Sequence, residues 1–474
     1  MPTIEKIFGP PGTGKTHTLI QLVSEEISNG IPIKFIGYLG FTKASAEEAF
    51  SRATKNFDMS SKLWFRTIHS ACLYMLRMHG YKENIVTFAY KKKFCDNLGV
   101  QLSQDDDDNT GGDSAPQGNL FFSINSYLEN TMMDIKYWQD APNSGDFTLP
   151  YQPMYDMWLK YKKENNLMDF SDMITSVLDH GYKIPVDILL VDEFQDLSPL
   201  QFKVVDQFAR NVKKLYCAGD DDQAIYLFQG ADPSIFLNYY SNKSRVLPQS
   251  YRLPKEVLTP SLRLIKQNEH RQEKEFKPRE GKGELEIVYS PPDHYYNRFL
   301  DRDCFFLLRT NRLASKLGWK LANAGVPFKY LDGVKENMWG WSCRANIDIY
   351  NNTLRYGMGY IDSLVSKGEI SEFKGSFIST YATTYKQPID PSRIACMLGT
   401  IHSSKGREAD TVILFDDITE KVLGNTITPL GLEDERRVFY VGMTRAKRKL
   451  VIVNHGIRSR AVYSFDLPER LEFN

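Results

Sequence analysis

No stretch of about 18 apolar residues interrupts this 474-residue chain, so a membrane-spanning helix is not expected. The opening residues, MPTIEKIFG, carry no hydrophobic leader segment and run straight into a glycine-rich loop. A cytoplasmic protein with no membrane partner is the expectation. Cysteine is sparse: Cys72, Cys95, Cys217, Cys304, Cys343 and Cys396 are scattered, with no CxxC pair and no metal-ligand spacing. That pattern argues against a disulfide framework or a structural zinc and reads as reduced thiols in a core. An excess of charge of one sign is also lacking, since 59 basic residues balance 59 acidic ones. The bulk charge therefore supplies no field for nucleic acid, and any such site must be a local groove. No internal repeat occurs at solenoid or propeller periods.

What is present is a recurring order of strand, loop and helix. Short apolar runs at Ile4–Phe8, Ile188–Val191, Leu215–Ala218, Phe305–Leu308, Val412–Phe415 and Leu450–Val453 read as buried strands. Alternation with helical stretches predicts an α/β fold built on parallel sheets. Several runs end in a motif, at the edge where open α/β sheets place their ligands. Between roughly 81 and 165 the pattern becomes helical, aromatic and charged, broken by the polar stretch Gln104–Asn119. Its acidic run Asp105–Asp108 has no ligand-spaced partners around it and reads as a solvated loop. A second helix-like interruption spans roughly 341–392. The length suits two to four domains.

Gly9, Pro10, Pro11, Gly12, Thr13, Gly14, Lys15 and Thr16 fit G-x-x-x-x-G-K-[ST] between an apolar strand and an amphipathic helix. Glycines let backbone N–H groups turn inward on phosphates, and the helix N-terminus adds a positive dipole end. Lys15 would reach the β- and γ-phosphates of ATP, and the Thr16 hydroxyl would ligate Mg²⁺. Downstream, VDILLVDEFQD sets Asp192 and Glu193 at the end of an apolar run. Asp192 suits Mg²⁺ ligation, and Glu193 suits polarisation of an attacking water.

Nine ordered blocks then carry a resemblance. They are GPPGTGKT, FTKASAEEAFSR (Phe41–Arg52), TIHS (Thr67–Ser70), MDFSDMI (Met168–Ile174), VDEFQDLSPLQ (Val191–Gln201), AGDDDQAIYLFQGA (Ala218–Ala231), LPQSYRLP (Leu247–Pro254), TIHSSKGREADTVIL (Thr400–Leu414) and ERRVFYVGMTRAK (Glu435–Lys447). Along nearly its whole length the sequence resembles the UvrD/Rep-type helicases of superfamily 1. The resemblance implies two RecA-like lobes, each with a mainly helical insertion. The first lobe would be roughly 1–80 plus 166–250 with insertion 81–165. The second would be roughly 251–340 plus 393–474, with the reduced insertion 341–392.

Residue roles follow from the resemblance. Gln223 corresponds to the γ-phosphate sensor, Tyr251 to the ring that stacks on adenine, and Glu408 to the ribose contact. Arg252 and Arg445 resemble two arginine fingers, a role that suits a permanently charged fork. ATP would draw the lobes together and hydrolysis release them. Phe41, Tyr226 and Phe228 match DNA-facing aromatics, and Thr42, Thr67, His69, Thr400 and His402 lie in DNA-contacting blocks. Aromatic platforms with phosphate donors grip single strands without sequence preference.

Departures from the family pattern are specific. The upstream glutamine motif that reads adenine is not among the eight residues before Gly9, which predicts weak discrimination between nucleotide bases. Phe228 and Gln229 stand where tryptophan and arginine are usual, and Arg407 where leucine is common. A strand-splitting hairpin would have to be small, around His455–Tyr463. The reading is an ATP- and Mg²⁺-dependent motor moving 3′ to 5′ on single-stranded DNA and unwinding duplex at junctions. It would act as a monomer in a bacterial or phage-infected cell, alongside replication or repair proteins. The alternatives are a translocase that strips proteins with little unwinding, and a P-loop switch controlling a partner.

Overall fold

The computed structural model describes residues 2–56, 64–103, 115–300, 302–331 and 344–454. These fall into two units. The first holds the described residues up to Tyr251 together with His270–Lys277, and the second holds Arg252–Glu269 and those from Pro278 onward. Tyr251 and 270–277 thus group with the first unit, although their sequence positions suggested the second lobe. The acidic run Asp105–Asp108, Cys343 and the segment His455–Tyr463 lie outside the described residues.

The first unit is built on a six-stranded sheet. Its spatial order is Phe65–Thr67, Ile36–Gly40, Ile188–Val191, Lys214–Gly219, Thr3–Phe8 and Lys243–Val246, and every pairing is parallel. Strand alternation explains its two cores. Ile4, Phe8, Leu189, Val191, Leu215 and Cys217 point to one face, while Ile7, Ile188, Leu190, Tyr216 and Ala218 point to the other. Helices cover both faces, as a parallel sheet requires. Capping chemistry sets their starts. The Thr67 side chain accepts from Ser70 N, and capping boxes at Asp169/Asp172 and Ser198/Gln201 open two more helices. Residues 86–167 carry a separate aromatic core around Phe94, Phe121, Phe122, Tyr151 and Trp158. The short parallel pair Asn84–Ile85 and Leu167–Met168 closes the base of this insertion.

The second unit repeats the plan. Its six strands lie in the order Lys329–Tyr330, Cys396–Thr400, Cys304–Leu308, Ala409–Phe415, Ala446–Asn454 and Glu284–Tyr289, again all parallel. The helices Arg344–Tyr356, Gly359–Ser366 and Glu372–Thr384 contribute Ile347, Tyr350, Ile361, Phe377 and Tyr381 to the same core as Phe306 and Leu398. All six strands expected from apolar runs are present. The α/β class with two RecA-like parallel sheets is the observed architecture. Five cysteines are free and buried, among the described residues.

Candidate functional site

All strands of the first sheet run the same way, so the loops after Phe8, Gly40, Thr67, Val191, Gly219 and Val246 gather at one edge. That edge holds the phosphate loop and its partners. Gly12 and Gly14 take φ of +72° and +80°, values that side-chain-bearing residues avoid. Gly9 has a different reason: a Cβ there would fall 1.9 Å from Lys15 Cγ, because the lysine stem lies over the loop. Lys15 Nζ donates to Gly9 O at 3.1 Å and stands 3.8 Å from Glu193 Oε1. Thr13 Oγ1 donates to Pro10 O at 2.7 Å and steadies the turn.

Asp192 is the polar centre of the edge. Its Oδ2 accepts from Thr16 Oγ1 at 3.2 Å and from Tyr38 OH at 2.6 Å, and its Oδ1 accepts from Glu193 N at 2.9 Å. Burial first, and then the neighbouring Glu193, pushes the Asp192 carboxyl up to about 6. A carboxylate and a hydroxyl at this spacing are hard oxygen donors that fit Mg²⁺, leaving room for phosphate oxygens and water. Glu193 holds φ of +53°, a strained setting for a residue with a side chain. Its Oε2 accepts from Gln195 Nε2 at 2.7 Å. The fully buried Gln195 also accepts from Asp220 N at 2.8 Å. Asp220 Oδ2 in turn accepts from Gln223 Nε2 at 2.6 Å. The acid pair and the candidate sensor are therefore joined by one hydrogen-bonded path. Tyr251 completes the edge: its N donates to Gly12 O at 2.8 Å, Ser250 Oγ donates to Pro11 O at 2.8 Å, and Tyr251 as a whole is 74% exposed. Tyr38 and Gln195 were not singled out from sequence. A tyrosine in an apolar run reads as core, and its partner is 154 residues away.

The candidate DNA-facing aromatics of this unit converge. Phe41 stacks on Tyr226 with centroids 5.3 Å apart, and Tyr226 meets Phe228 at 6.3 Å. All three rings are part-exposed, and Thr42 beside them is exposed. Thr67 serves as a helix cap. His69 meets the exposed ring of Phe170 edge-on at 5.2 Å. Burial pulls the His69 imidazole down to about 4, which favours the neutral ring at pH 7.

Two outcomes follow for His69. A folded value below the ordinary 6.5 gives stability that is complete above about pH 6.5 and is lost as pH falls toward 4. His69→Gln should flatten that acid-side fall in Tm. The same variant should leave the slope of log K against log salt for single-stranded DNA unchanged, whereas losing one phosphate-neutralising cation lowers it by about 0.7. A slope reduced by that amount would mean that His69 is charged on DNA.

Within the second unit the candidate residues divide between opposite edges of the sheet. Glu408 and Arg445 directly precede the strands Ala409–Phe415 and Ala446–Asn454, whereas Thr400 and His402 lie at and beyond the carboxyl end of Cys396–Thr400. Arg252 Nε donates to Glu408 Oε2 at 2.6 Å, and its Nη1 reaches Thr444 O at 3.4 Å. Arg445 is 2% exposed, with Nε donating to Val441 O at 2.9 Å and Nη2 to Thr444 Oγ1 at 3.4 Å. Arg252, Glu408 and Arg445 thus share one neighbourhood around Thr444. Thr400 is also 2% exposed, and its Oγ1 accepts from Ser403 N at 3.2 Å, so it shapes the turn that presents His402. Arg407 donates to Leu331 O at 2.6 Å, a backbone tether that leucine could not make.

Residues 4–244 match the family model of the UvrD/REP helicase N-terminal domain, and residues 380–456 match that of the UvrD-like helicase C-terminal domain. Among curated relatives, a protein named "Probable DNA helicase II homolog" from Mycoplasma capricolum subsp. capricolum is 27% identical over 372 residues. The ATP-dependent DNA helicase PcrA of Leuconostoc citreum and UvrD1 of Mycobacterium tuberculosis are each 24% identical, over 371 and 375 residues. These matches cover 70%, 69% and 69% of this chain and 50%, 48% and 48% of the relatives. The chain spans about half the length of the curated relatives it matches. With one family model covering its first half and a second matching in its second half, the chain belongs to the UvrD/REP helicase family.

Proposed function

We propose that the chain is an ATP-driven DNA helicase that moves on single-stranded DNA, 3′ to 5′, and separates duplex at single-strand junctions. One observation carries the reading. Gln223, hydrogen-bonded into the phosphate-loop edge through Asp220, lies three residues before Tyr226 and five before Phe228 in the same loop. A change at the γ-phosphate therefore has a covalent path of a few residues to the rings that would stack on bases.

In this reading Lys15 and the loop amides hold the β- and γ-phosphates, and Tyr251 stacks on the base. Glu193, oriented by Gln195, takes the proton from the attacking water. Arg252 and Arg445 supply the arginine fingers, and Glu408 the ribose contact. Thr16 and Asp192 would hold Mg²⁺, which neutralises phosphate charge when bound. Phe41, Tyr226 and Phe228 form the stacking platform, with Thr42, Thr67, His69, Thr400 and His402 along the backbone path. The two units correspond to the RecA-like lobes, with 81–165 and 341–392 as their insertions. The motor works as a monomer in the cytoplasm of a bacterial or phage-infected cell, with replication or repair proteins. Among the described residues no helix is long and apolar enough to cross a membrane.

Phe228→Ala tests the platform. It should weaken single-strand binding by about 1–3 kcal/mol while ATP hydrolysis without DNA persists. Fluorescence titration with an oligonucleotide, run beside the ATPase assay, measures both. Unchanged affinity would return Phe228 to a packing role.

A further inference from the structure

The loop Asp220–Asp222 places three carboxylates in succession, all 1% exposed or less. Buried carboxylates need cations, and no lysine or arginine lies within five residues of them in sequence. The cations come from the segment 270–277. Lys274 Nζ lies 2.7 Å from Asp220 Oδ1, 2.6 Å from Asp221 Oδ1 and 2.9 Å from Asp222 Oδ2, itself 1% exposed in its side chain. Arg271 forks onto Asp222, with Nε at 2.8 Å and Nη2 at 2.6 Å. Backbone bonds fix the segment in place. Gln272 N donates to Asp221 Oδ2 at 2.8 Å, Lys277 N to Pro248 O at 2.8 Å, and Ser250 N to Lys277 O at 2.9 Å.

Asp220 divides its two oxygens. Oδ1 takes Lys274, and Oδ2 takes Gln223 Nε2 at 2.6 Å. Burial alone would raise the Asp220 carboxyl, but Lys274 and then Lys15 outweigh it and hold it below its ordinary value. The carboxylate thus stays charged and oriented toward the glutamine.

We propose that Lys274 is a positioning residue for nucleotide sensing: acting through Asp220, it fixes the Gln223 carboxamide that responds to the γ-phosphate. This rests on the reading of Gln223 as that sensor. Lys274 touches no reacting atom. It sets the geometry of the loop that also carries Tyr226 and Phe228.

The test is a set of double-variant comparisons on DNA-stimulated ATP hydrolysis. Gln223→Ala, Lys274→Met and Asp220→Asn should each lower kcat by roughly tenfold or more, the scale of a small misplacement, with the KM for ATP little changed. An amide replaces one of the two acceptor oxygens with a donor NH2, so Asn at 220 cannot accept from both Lys274 Nζ and Gln223 Nε2 in their present positions. The doubles Lys274→Met/Gln223→Ala and Asp220→Asn/Gln223→Ala should fall no further than Gln223→Ala alone, because each pair acts on one event. A merely structural lysine would give losses that multiply. If Lys274→Met shows no cooperative thermal transition, the Asp220→Asn pair decides. Wild-type kcat in the Lys274 or Asp220 single, or multiplied losses in the doubles, overturns the proposal. Wild-type kcat in Gln223→Ala instead overturns the sensor reading, and the proposal with it.

Discussion

Lys15→Ala is expected to abolish ATP turnover, with kcat/KM falling on the order of 10³-fold or more as a phosphate-directed cation is lost. The fold should survive. Among the described residues Lys15 makes one hydrogen bond, to Gly9 O, and one ion pair at 3.8 Å with Glu193, the two side chains being 12% and 26% exposed. At 3.8 Å the pair lacks the close contact of a hydrogen-bonded salt bridge, so its loss should cost the fold far less than it costs turnover. The lysine stem lies over a glycine loop rather than inside either core of the first unit. Truncation therefore removes charge without opening a core cavity. ATPase kinetics beside a thermal melt separate the two effects. Near wild-type hydrolysis would mean that the nucleotide site lies elsewhere.

Arg252→Ala and Arg445→Ala are each expected to cut turnover on the order of 10³-fold or more, the scale of an arginine finger, while ATP binding changes far less. The two are unequal as tests. Arg252 is part-exposed and bonded to Glu408, so exchanging that carboxylate for a phosphate oxygen keeps a charge-assisted partner throughout. Its loss should leave Tm nearly unchanged. Arg445 is buried, and its guanidinium ties Val441 to Thr444, so alanine there also costs packing and hydrogen bonds. Arg445→Lys is the sharper variant, because it keeps the charge and removes the fork. Stopped-flow nucleotide binding beside single-turnover hydrolysis separates binding from chemistry. Mild losses from both arginines would favour a P-loop switch over a motor.

Both parallel sheets and the phosphate-loop edge were legible from short apolar runs, because fully buried strands read as unbroken hydrophobic stretches. Other strands lack that signal. Lys243–Val246 and Glu284–Tyr289 are polar sheet edges, and Ile36–Gly40 is interrupted by glycines. Motif chemistry singled out Lys15, Thr16, Asp192 and Glu193, and the resemblance added Gln223; each follows a strand that its own sequence marks. It could not locate Tyr38, Gln195 or Lys274. Tyr38 and Lys274 act through partners far along the chain, and Gln195 is a neutral amide among the acids of its own block, bonded to Glu193, Asp196 and Asp220 only in the fold. Nor does a motif reveal environment. Nothing in the TIHS block marks the burial that depresses the His69 imidazole or the helix cap that Thr67 forms.

The central claim is that ATP hydrolysis drives directional movement on single-stranded DNA. The most direct measurement is ATP-dependent unwinding of matched duplexes carrying either a 3′ or a 5′ single-stranded tail, with DNA-stimulated ATPase recorded in the same samples. The account predicts that single strands stimulate hydrolysis and that only the 3′-tailed duplex is separated, with Lys15→Ala inactive in both assays. Unwinding of the 5′-tailed duplex alone, or hydrolysis indifferent to DNA, would contradict it.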